Sequence, residues 1–215
     1  MNYSVVIPCA GKGTRMGADE NKLFLYIGKY MVIERTVKEF VDDERCKQII
    51  IVHSKDDEEK IKKVLKGDKF YFTDGGAERT NSVYAGLQIV SELVVLVHDG
   101  ARPFVTRGCI DNVLTALERR QACICGVPVK DTIKTVKNGV IVDTPDRSSL
   151  WQAQTPQGFK TKVLLDAYEK AVRTNQSITD DASAVELFSN TDVMMVMGDY
   201  GNYKITTKED LPKRY

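Results

Sequence analysis

The sequence predicts an α/β protein with a mostly parallel central sheet, helices on both faces of that sheet, and a β-hairpin arm that leaves it. Short apolar runs alternate with segments of helical periodicity from Val5 to Val129, which is typical of parallel strands joined by helices. Glycine-containing loops follow several of the apolar runs. Later in the chain, Asn138-Gly139 lies between two extended segments and is a strong signal for a hairpin turn.

The first predicted strand, Val5 to Ile7, is apolar at consecutive positions and therefore fits a central place in a parallel sheet. In the loop that follows, Gly11 and Gly13 can bring backbone N–H groups close to an anion. Arg15 and Lys22 add two cations just beyond the turn. Backbone N–H groups that point toward a ligand, together with cations that follow a strand, favour a polyphosphate ligand. The alternative is an ordinary glycine-rich turn between a strand and a helix.

Two well-known phosphate loops do not match this segment. A dinucleotide-binding loop requires Gly-x-Gly-x-x-Gly, and the spacing of Gly11, Gly13 and Gly17 is one residue too long. A P-loop requires Ser or Thr after Gly-Lys, and Lys12 is followed by Gly13. A nicotinamide-dependent oxidoreductase is therefore the least favoured function.

The elements up to Val129 continue the same alternation of short apolar strands and amphipathic helices. The predicted strands are Gln48–His53, Lys69–Thr73, Leu93–Val97 and Cys123–Val129, and the predicted helices are Met31–Val41, Asp56–Leu65, Arg79–Val90 and Gly108–Arg119. Open parallel sheets bind ligands at the carboxyl ends of their strands, so the loops after these strands are the candidate binding loops.

The pattern changes in the segment from Lys130 to Arg147, which has no helical stripe. Thr132–Lys137 and Val140–Thr144 flank Asn138-Gly139, so we expect a largely polar hairpin arm at about residues 130–150. The chain returns to the sheet at Leu150–Phe159.

The last part of the chain again shows helices and a strand. Helices are predicted at Thr161–Arg173 and Asp181–Phe188, followed by a strand at Val193–Met197 and a short terminal helix that begins at Thr206 or Thr207. The sequence contains no linker and no internal repeat, so we expect residues 1–215 to form a single domain with an arm.

Composition limits the class of protein. Lys plus Arg number 31 and Asp plus Glu number 30, and this near-neutral charge argues against a general nucleic-acid binder. The five cysteines form no Cys-x-x-Cys pair, which is typical of the reduced core thiols of an intracellular protein. We see no signal peptide and no apolar run of membrane-spanning length. We therefore expect a cytoplasmic protein without a membrane partner.

A few polar residues lie where the predicted sheet would bind a ligand. Asp99 follows a run of apolar strand residues and should lie at the ligand-binding edge. His98 is better interpreted as a structural histidine than as a catalyst, and Trp151 as a packing residue. Asp180 and Asp181 are interpreted as acids that cap a helix.

The strongest motifs follow one another in the order of a known enzyme family. They are Pro8 to Gly17, Gly75 to Arg79 with Ser82, Val97-His98-Asp99 with Ala101-Arg102-Pro103, Pro128-Val129 with Asp131 to Lys134, Arg147 with Leu150-Trp151, Gln154 to Gln157, Thr179 to Ser183, and Asn202 to Thr206. On these motifs the chain resembles the 2-C-methyl-D-erythritol 4-phosphate cytidylyltransferases, a branch of the sugar-phosphate nucleotidyltransferases. Cys9 and Gly100 stand where that family usually has alanine.

The resemblance implies a Rossmann-like three-layer nucleotidyltransferase fold and the family's reaction. A phosphate oxygen of 2-C-methyl-D-erythritol 4-phosphate attacks the α-phosphorus of CTP, which gives 4-diphosphocytidyl-2-C-methyl-D-erythritol and pyrophosphate in non-mevalonate isoprenoid biosynthesis. A phosphate monoester is mostly ionised at pH 7, so the step needs positioning and charge neutralisation rather than a general base. The resemblance also implies a Mg²⁺ ion held mainly by the CTP phosphates, and it assigns no protein ligand to that ion.

The resemblance also implies a role for each matching residue. Arg15 and Lys22 would contact the triphosphate and stabilise the transition state, while Arg147 and Lys204 would hold the substrate phosphate for in-line attack. The other sugar-alcohol contacts would be Asp99, Arg102, Thr132, Thr155 and Thr179. The other nucleotide contacts would be Ala10, Gly11, Gly13, Gly76, Arg79 and Ser82.

The arm is the feature that implies a partner chain. An isolated two-stranded hairpin is marginally stable in water, so the arm needs a surface to lie against. The resemblance implies a two-fold homodimer in which Thr132 and Arg147 reach the active site of the other chain. The alternative is a flexible flap on a monomer.

Two other functions compete with this interpretation. Ribitol 5-phosphate cytidylyltransferases share the fold and several motifs, but the Arg147 to Trp151 and Thr179 to Ser183 segments favour methylerythritol phosphate. A non-catalytic nucleotide-binding module would not need cations at both ends of an in-line geometry, yet the chain retains Arg15, Lys22, Arg147 and Lys204.

Overall fold

The computed structural model describes residues 1–11, 21–174, 176 and 178–212, with residue 208 described by its main chain only. A seven-stranded sheet forms the centre of this part of the chain. In spatial order its strands are β11 (Val193–Met197), β7 (Ala122–Pro128), β10 (Trp151–Lys160), β6 (Val94–Val97), β1 (Tyr3–Pro8), β4 (Cys46–His53) and β5 (Phe70–Asp74). Two short antiparallel pairs accompany it, β2 (Tyr26–Ile27) with β3 (Tyr30–Met31), and β8 (Thr135–Lys137) with β9 (Val140–Asp143).

Helices cover both faces of the large sheet, which confirms the predicted α/β fold. They are α1 (Val32–Val41), α2 (Glu58–Val64), α3 (Arg79–Leu87), α4 (Arg107–Leu117), α5 (Thr161–Thr174) and α6 (Asp181–Phe188). One-turn 3-10 helices lie at Lys22–Phe24, Lys55–Asp57, Arg147–Ser149 and Lys208–Asp210. Among the helices in the described ranges, none combines the length and the apolar character needed to cross a bilayer.

Alternate residues of the central strands enter two separate hydrophobic cores. Val5 and Ile7 lie in the core formed with α1, α2 and α4, whereas Val6 lies in the core formed with α3, α5 and α6. All three side chains are fully buried, and burying each one contributes roughly 1.5–3 kcal/mol. Because both faces of the strand are covered, its consecutive apolar residues produce three layers, helix on sheet on helix.

The direction of β10 is a feature that strand and helix patterns did not predict. This strand runs antiparallel to both of its neighbours, β6 and β7, in a sheet whose other pairings are parallel. Trp151 at its start pairs with Pro128 at the end of β7. The chain leaves β7 through the arm and comes back beside the same strand, so the returning strand must run in the opposite direction.

The direction in which successive strands are added to the sheet reverses between β1 and β6. From β1 the chain first moves to β4 and β5 on one side, and it later crosses to β6 on the other side. Ligands of open α/β sheets bind in the crevice at such a point, beyond the carboxyl ends of the strands. The segments that begin at Cys9 and at His98 follow directly after these two strands.

The arm, formed by β8 and β9, has the predicted hairpin turn. Asn138 and Gly139 have φ angles of 51° and 80°, the left-handed pair that a two-residue turn of this kind requires. Every residue of both strands is exposed. Against the expectation of a largely polar arm, its exposed side chains include Val136, Val140 and Ile141.

The cysteines, Trp151 and the start of β6 differ in how well they match the predictions. The five cysteines are buried and unbonded, which confirms their interpretation as core thiols. Trp151 packs only in part in the single chain, where 38% of its surface is exposed. Leu93 is 86% exposed, so β6 begins one residue later than predicted.

Candidate active site

A cavity of about 300 Å³ opens where β1 and β6 end. The start of the first loop, the helix turn at Lys22–Phe24, the loop before α3, the loop after β6 and the segment around Lys204 form its walls. Eight of the predicted site residues line this cavity: Ala10, Gly11, Lys22, Gly76, Arg79, Ser82, Asp99 and Lys204.

The loop before α3 depends on two glycines because it packs closely against its neighbours. A Cβ atom on Gly75 would lie 2.5 Å from the Ala10 Cβ, and one on Gly76 would lie 2.2 Å from the Asn81 Cβ. The Ser82 hydroxyl accepts a hydrogen bond from the Gly76 N–H at 3.2 Å and donates one to the Glu78 carbonyl at 3.0 Å. Ser82 therefore fixes the loop against α3, at the helix end that favours anions.

Lys22 lies in the cavity wall at the start of a helix turn that Asn21 caps. The Asn21 Oδ1 accepts a hydrogen bond from the Leu23 N–H at 3.2 Å, and its Nδ2 donates to Asp57 Oδ2 at 2.9 Å. This anchor ties the Lys22 segment to the region beyond β4. The predicted residues Gly13 and Arg15 lie outside the described part of the chain, so their roles stay predictions.

Asp99 is the centre of a cluster of charges at the carboxyl end of β6. Lys204 Nζ lies 3.0 Å from Asp99 Oδ2, Arg102 Nε lies 3.3 Å from the same oxygen, and an Nη2 of Arg79 lies 3.8 Å from Oδ1. Burial alone would raise the pKa of Asp99, but the charges of Lys204, Arg79 and Arg102 hold it well below its usual range. Asp99 is therefore an anion that orients cations, not a proton donor at neutral pH.

His98 has a structural role, as predicted. Burial lowers the pKa of His98 to about 4, so the ring is neutral at pH 7. The Thr155 hydroxyl accepts a hydrogen bond from the Asp99 N–H at 3.0 Å and lies 2.9 Å from His98 Nδ1. The Arg102 carbonyl can only accept, so its 3.2 Å contact with Nε2 places the proton of the neutral ring on Nε2, and Nδ1 accepts a hydrogen bond from the Thr155 hydroxyl.

Thr155 itself is only 4% exposed and does not line the cavity. Its hydroxyl holds the backbone of Asp99 and the ring of His98 in place. The structure therefore places this predicted substrate contact one layer behind the cavity wall, where it supports the Asp99 loop.

Arg79 and the buried Asp181 form an ion pair that the sequence did not reveal. Arg79 donates from Nη1 to Asp181 Oδ1 at 3.1 Å and from Nη2 to Asp181 Oδ2 at 2.7 Å. Asp181 is fully buried and also accepts a hydrogen bond from the Tyr168 hydroxyl. The interpretation of Asp181 as a helix cap is wrong, because its carboxylate is used in this pair.

Asp180, by contrast, caps α6 as predicted. Its Oδ1 accepts a hydrogen bond from the Ser183 N–H at 3.0 Å, and its Oδ2 accepts one from Gln157 Nε2 at 2.8 Å. Only one residue can occupy the N-cap position of a helix, so the second aspartate of the pair was available for another role.

The segment that carries Lys204 is held by two buried amides. Asn202 Nδ2 donates to the Thr155 carbonyl at 2.8 Å, and Gln154 Nε2 donates to the Asp199 carbonyl at 2.8 Å. Arg102 Nη1 donates to the Asn202 carbonyl at 2.8 Å. Gln154 and Asn202 were recognised only as parts of motifs, because their polar local sequence gives no sign that either amide is buried.

Five predicted site residues do not line the cavity of this chain: Arg102, Thr132, Arg147, Thr155 and Thr179. Arg102 instead contacts Asp99, with its Nε 3.3 Å from Asp99 Oδ2. Thr132 and Arg147 lie exposed on and beside the arm, and Arg147 Nη1 donates to the Lys130 carbonyl at 2.8 Å. Thr179 is exposed just before α6, where its N–H donates to Ser183 Oγ at 3.1 Å.

The described residues offer no ready-made metal centre. Within those ranges no group of three or more His, Cys, Asp or Glu side chains is arranged to hold a metal ion. The carboxylate of Asp99 is already paired with cations. The cavity is thus suited to bind anionic groups through Lys22, Arg79 and Lys204.

The chain is similar to known proteins along nearly its whole length. Residues 3–213 match the family described as 2-C-methyl-D-erythritol 4-phosphate cytidylyltransferase. A relative from Bacillus mycoides (strain KBAB4) with that name is 49% identical over 214 residues, which cover 97% of this chain and 94% of the relative.

Solved structures show the same likeness. The 4-diphosphocytidyl-2C-methyl-D-erythritol synthase of Anaerococcus prevotii superposes with a TM-score of 0.86 at 32% identity, covering 98% of this chain and 94% of that one. The 2-C-methyl-D-erythritol 4-phosphate cytidylyltransferase of Thermus thermophilus superposes with a TM-score of 0.83 at 34% identity, covering 98% and 96%. With this likeness along nearly its whole length, the chain belongs to the 2-C-methyl-D-erythritol 4-phosphate cytidylyltransferase family.

Proposed function

We propose that the cavity at the ends of β1 and β6 is where this chain carries out its family's reaction. The chain is a cytidylyltransferase that transfers a cytidylyl group from CTP to 2-C-methyl-D-erythritol 4-phosphate and releases pyrophosphate. The observation that carries the assignment is the placement of Lys22, Arg79 and Lys204 around one cavity at the reversal point of the sheet. Such a site binds several phosphate groups at once.

The chemistry requires no general base from the protein. The attacking phosphate oxygen is mostly ionised at pH 7, and His98 is buried, neutral and hydrogen-bonded at both nitrogens. The side chains therefore act by placing the two substrates and by neutralising charge on the phosphoryl oxygens. Lys22, with Arg15, serves the triphosphate, and Lys204 serves the phosphate of the alcohol.

A Mg²⁺ ion fits this site if the nucleotide supplies most of its ligands. The cation-paired Asp99 is poorly placed to bind a metal, whereas Mg²⁺ in nucleotide sites keeps several waters and binds mainly to phosphates. When bound, the ion would neutralise charge on the triphosphate. Lys22 and Arg79 would then contact the phosphate oxygens that the ion leaves free.

Substrate choice is tested by pyrophosphate release. CTP and Mg²⁺ are supplied with methylerythritol phosphate or with ribitol 5-phosphate in separate reactions. We expect turnover with methylerythritol phosphate to be much faster. A reversed preference would identify a ribitol phosphate enzyme, equal rates would contradict the proposed selectivity, and CTP binding without any turnover would indicate a non-catalytic module.

We further propose that the protein is a homodimer whose arms complete each other's active sites. The arm exposes Val136, Val140 and Ile141 in the single chain, and exposed valine and isoleucine on a hairpin favour association. Thr132 and Arg147 flank this arm in the chain and do not line the cavity of their own chain. A two-fold dimer would bring them to the partner's substrate phosphate.

Mixing two inactive variants tests this arrangement. Arg147→Ala and Lys22→Ala chains should each be inactive, but a heterodimer has one site with both wild-type residues. Random exchange of subunits should therefore restore about a quarter of the wild-type activity. If no activity returns after subunit exchange has been verified, Arg147 serves its own chain.

The proposed location is the cytoplasm. Five buried thiols without a disulfide fit a reducing compartment, where such cysteines stay free.

A further inference from the structure

We propose that Asp181, which lies outside the cavity, is a positioning residue that holds the Arg79 guanidinium and thereby leaves Asp99 to pair with Lys204. This inference rests on the proposed role of the cavity. Asp181 is fully buried at the start of α6, and its two oxygens accept hydrogen bonds from the two terminal nitrogens of Arg79. A paired fork of this type fixes the plane of the guanidinium as well as its distance.

Tyr168 completes the arrangement from α5. Its hydroxyl donates a hydrogen bond to Asp181 Oδ1, so that oxygen accepts from both Tyr168 and Arg79. Tyr168 is also fully buried, and it packs in the core shared by α3, α5 and α6. These hydrogen bonds hold the Asp181 carboxylate in one position, and the carboxylate in turn holds the Arg79 guanidinium.

Arg79 stands between two carboxylates and is closer to one of them. Its Nη2 lies 2.7 Å from Asp181 but 3.8 Å from Asp99. Asp99 Oδ2 in turn lies 3.0 Å from Lys204 Nζ. If Asp181 lost its charge, Asp99 would be the remaining carboxylate within 4 Å of Arg79 in the described part of the chain, and a planar two-point arginine contact would compete with the single-point contact of a lysine.

The expected consequence of losing Asp181 is a displaced Lys204. Lys204 is the cation that would hold the phosphate of the alcohol, so its displacement should raise the KM for that substrate and lower kcat/KM. Arg79 would also move away from the nucleotide loop. Asp181 would thus influence both substrates without contacting either of them.

The variant Asp181→Asn tests the proposal, because it keeps the size of the side chain and removes its charge. We expect kcat/KM for methylerythritol phosphate to fall by about tenfold or more, mainly through KM. The neighbouring variant Asp180→Asn is the matched control, since it keeps an oxygen to cap α6 but loses the acceptor of the Gln157 hydrogen bond, without touching Arg79. It should lower the melting temperature slightly and leave kcat/KM within about twofold.

A double-mutant cycle separates positioning from a general loss of structure. In an Arg79→Met background, Asp181→Asn should cause little further loss of kcat/KM, because its effect passes through Arg79. An equal loss in both backgrounds would overturn the proposal. So would a folded Asp181→Asn protein with wild-type kcat/KM.

The milder variant Tyr168→Phe extends the test if Asp181→Asn does not fold. It removes one hydrogen bond from Asp181 and should raise the KM for the alcohol phosphate by about threefold. An unchanged KM in this folded variant would count against the proposal.

A readout without turnover keeps this inference distinct from the proposed function. Acetylation of Lys204 by acetic anhydride, followed by mass spectrometry, should be several-fold faster in Asp181→Asn than in the wild type or in Asp180→Asn. An unchanged rate would overturn the proposed effect on Lys204. A wild-type enzyme without turnover would instead contradict the proposed function.

Discussion

Two buried aspartates, at opposite ends of the same sheet, are surrounded by cations in similar ways. Asp43 lies at the amino end, before β4, where Arg45 Nη2 approaches it at 2.8 Å and Arg107 Nη1 at 2.6 Å. Asp99 lies at the carboxyl end, after β6, with Lys204 at 3.0 Å and Arg102 at 3.3 Å. The first cluster fastens structural elements together, whereas the second borders a cavity.

The two clusters differ in whether one of their cations can also bind a ligand. Arg45 donates to both oxygens of Asp43, and the Tyr3 hydroxyl donates to one of them at 3.0 Å, so this carboxylate holds neighbouring elements together. Burial alone would raise the pKa of Asp43, but hydrogen bonds from Arg45 and Tyr3 hold it well below its usual range. Lys204 makes a single-point contact with Asp99 and lines the cavity, so a substrate phosphate can share its charge.

The largest expected effect concerns a cavity lysine. Lys22→Ala should lower kcat by about 100-fold or more with little change in CTP affinity, if Lys22 acts on charge that develops in the transition state. Steady-state kinetics with a separate CTP-binding measurement check this. Normal kcat with weaker CTP binding would instead assign Lys22 to ground-state binding.

A lysine at the other end of the sheet supplies the control. Lys69 Nζ donates to the Val41 and Asp43 carbonyls, both at 2.8 Å, and does not line the cavity. Lys69→Ala should leave kcat within about twofold and lower the melting temperature by a few degrees.

A second prediction uses pH to probe the carboxyl end. His98 has a folded-state pKa of about 4 against an ordinary value of 6.5, so the unfolded chain binds its proton first as the pH falls. The stability that His98 contributes is complete above pH 6.5 and is lost progressively down to about pH 4. The expected slope is about 1.4 kcal/mol per pH unit in this window.

Denaturant unfolding at several pH values measures that slope. A His98→Gln variant should show a flatter dependence between pH 4 and 6.5 than the wild type. Identical slopes in the two proteins would mean that the buried imidazole is not the titrating group.

The smallest expected effect concerns Gly100 and the neighbouring side chain of Cys9. A Cβ atom on Gly100 would lie 3.0 Å from the Cys9 Sγ and 3.3 Å from the Pro8 carbonyl oxygen. Gly100→Ala should therefore be destabilising alone, and Cys9→Ala should relieve part of the cost. Thermal unfolding of both single variants and the double variant should give a coupling of about 0.5–1 kcal/mol, and strict additivity would contradict the compensation.

Local patterns were sufficient to predict much of the fold and part of the site. A strand buried on both faces must be apolar at consecutive positions, so Val5 to Ile7 could be recognised without any tertiary information. Asn138-Gly139 specified its turn for the same local reason. The carboxyl-end rule then placed Asp99 at the cavity before its partners were known.

What could not be predicted depends on contacts between distant parts of the chain. The direction of β10 follows from its pairing with β7 across the arm, which no periodicity encodes. The partner of Asp181 lies 102 residues earlier in the chain. The structural role of Thr155 likewise required the position of His98, 57 residues away.

The most direct test of the difference between the two ends is to neutralise each aspartate in turn. Asp43→Asn should lower the melting temperature by about 4–10 °C, as expected for a damaged buried ion-pair cluster, and leave kcat/KM within about twofold. Asp99→Asn should also lower the melting temperature, because it removes the same kind of buried charge, but it should in addition lower kcat/KM for methylerythritol phosphate by about 100-fold. A folded Asp99→Asn enzyme with wild-type kcat/KM, or an Asp43→Asn enzyme that loses activity at full stability, would contradict this account.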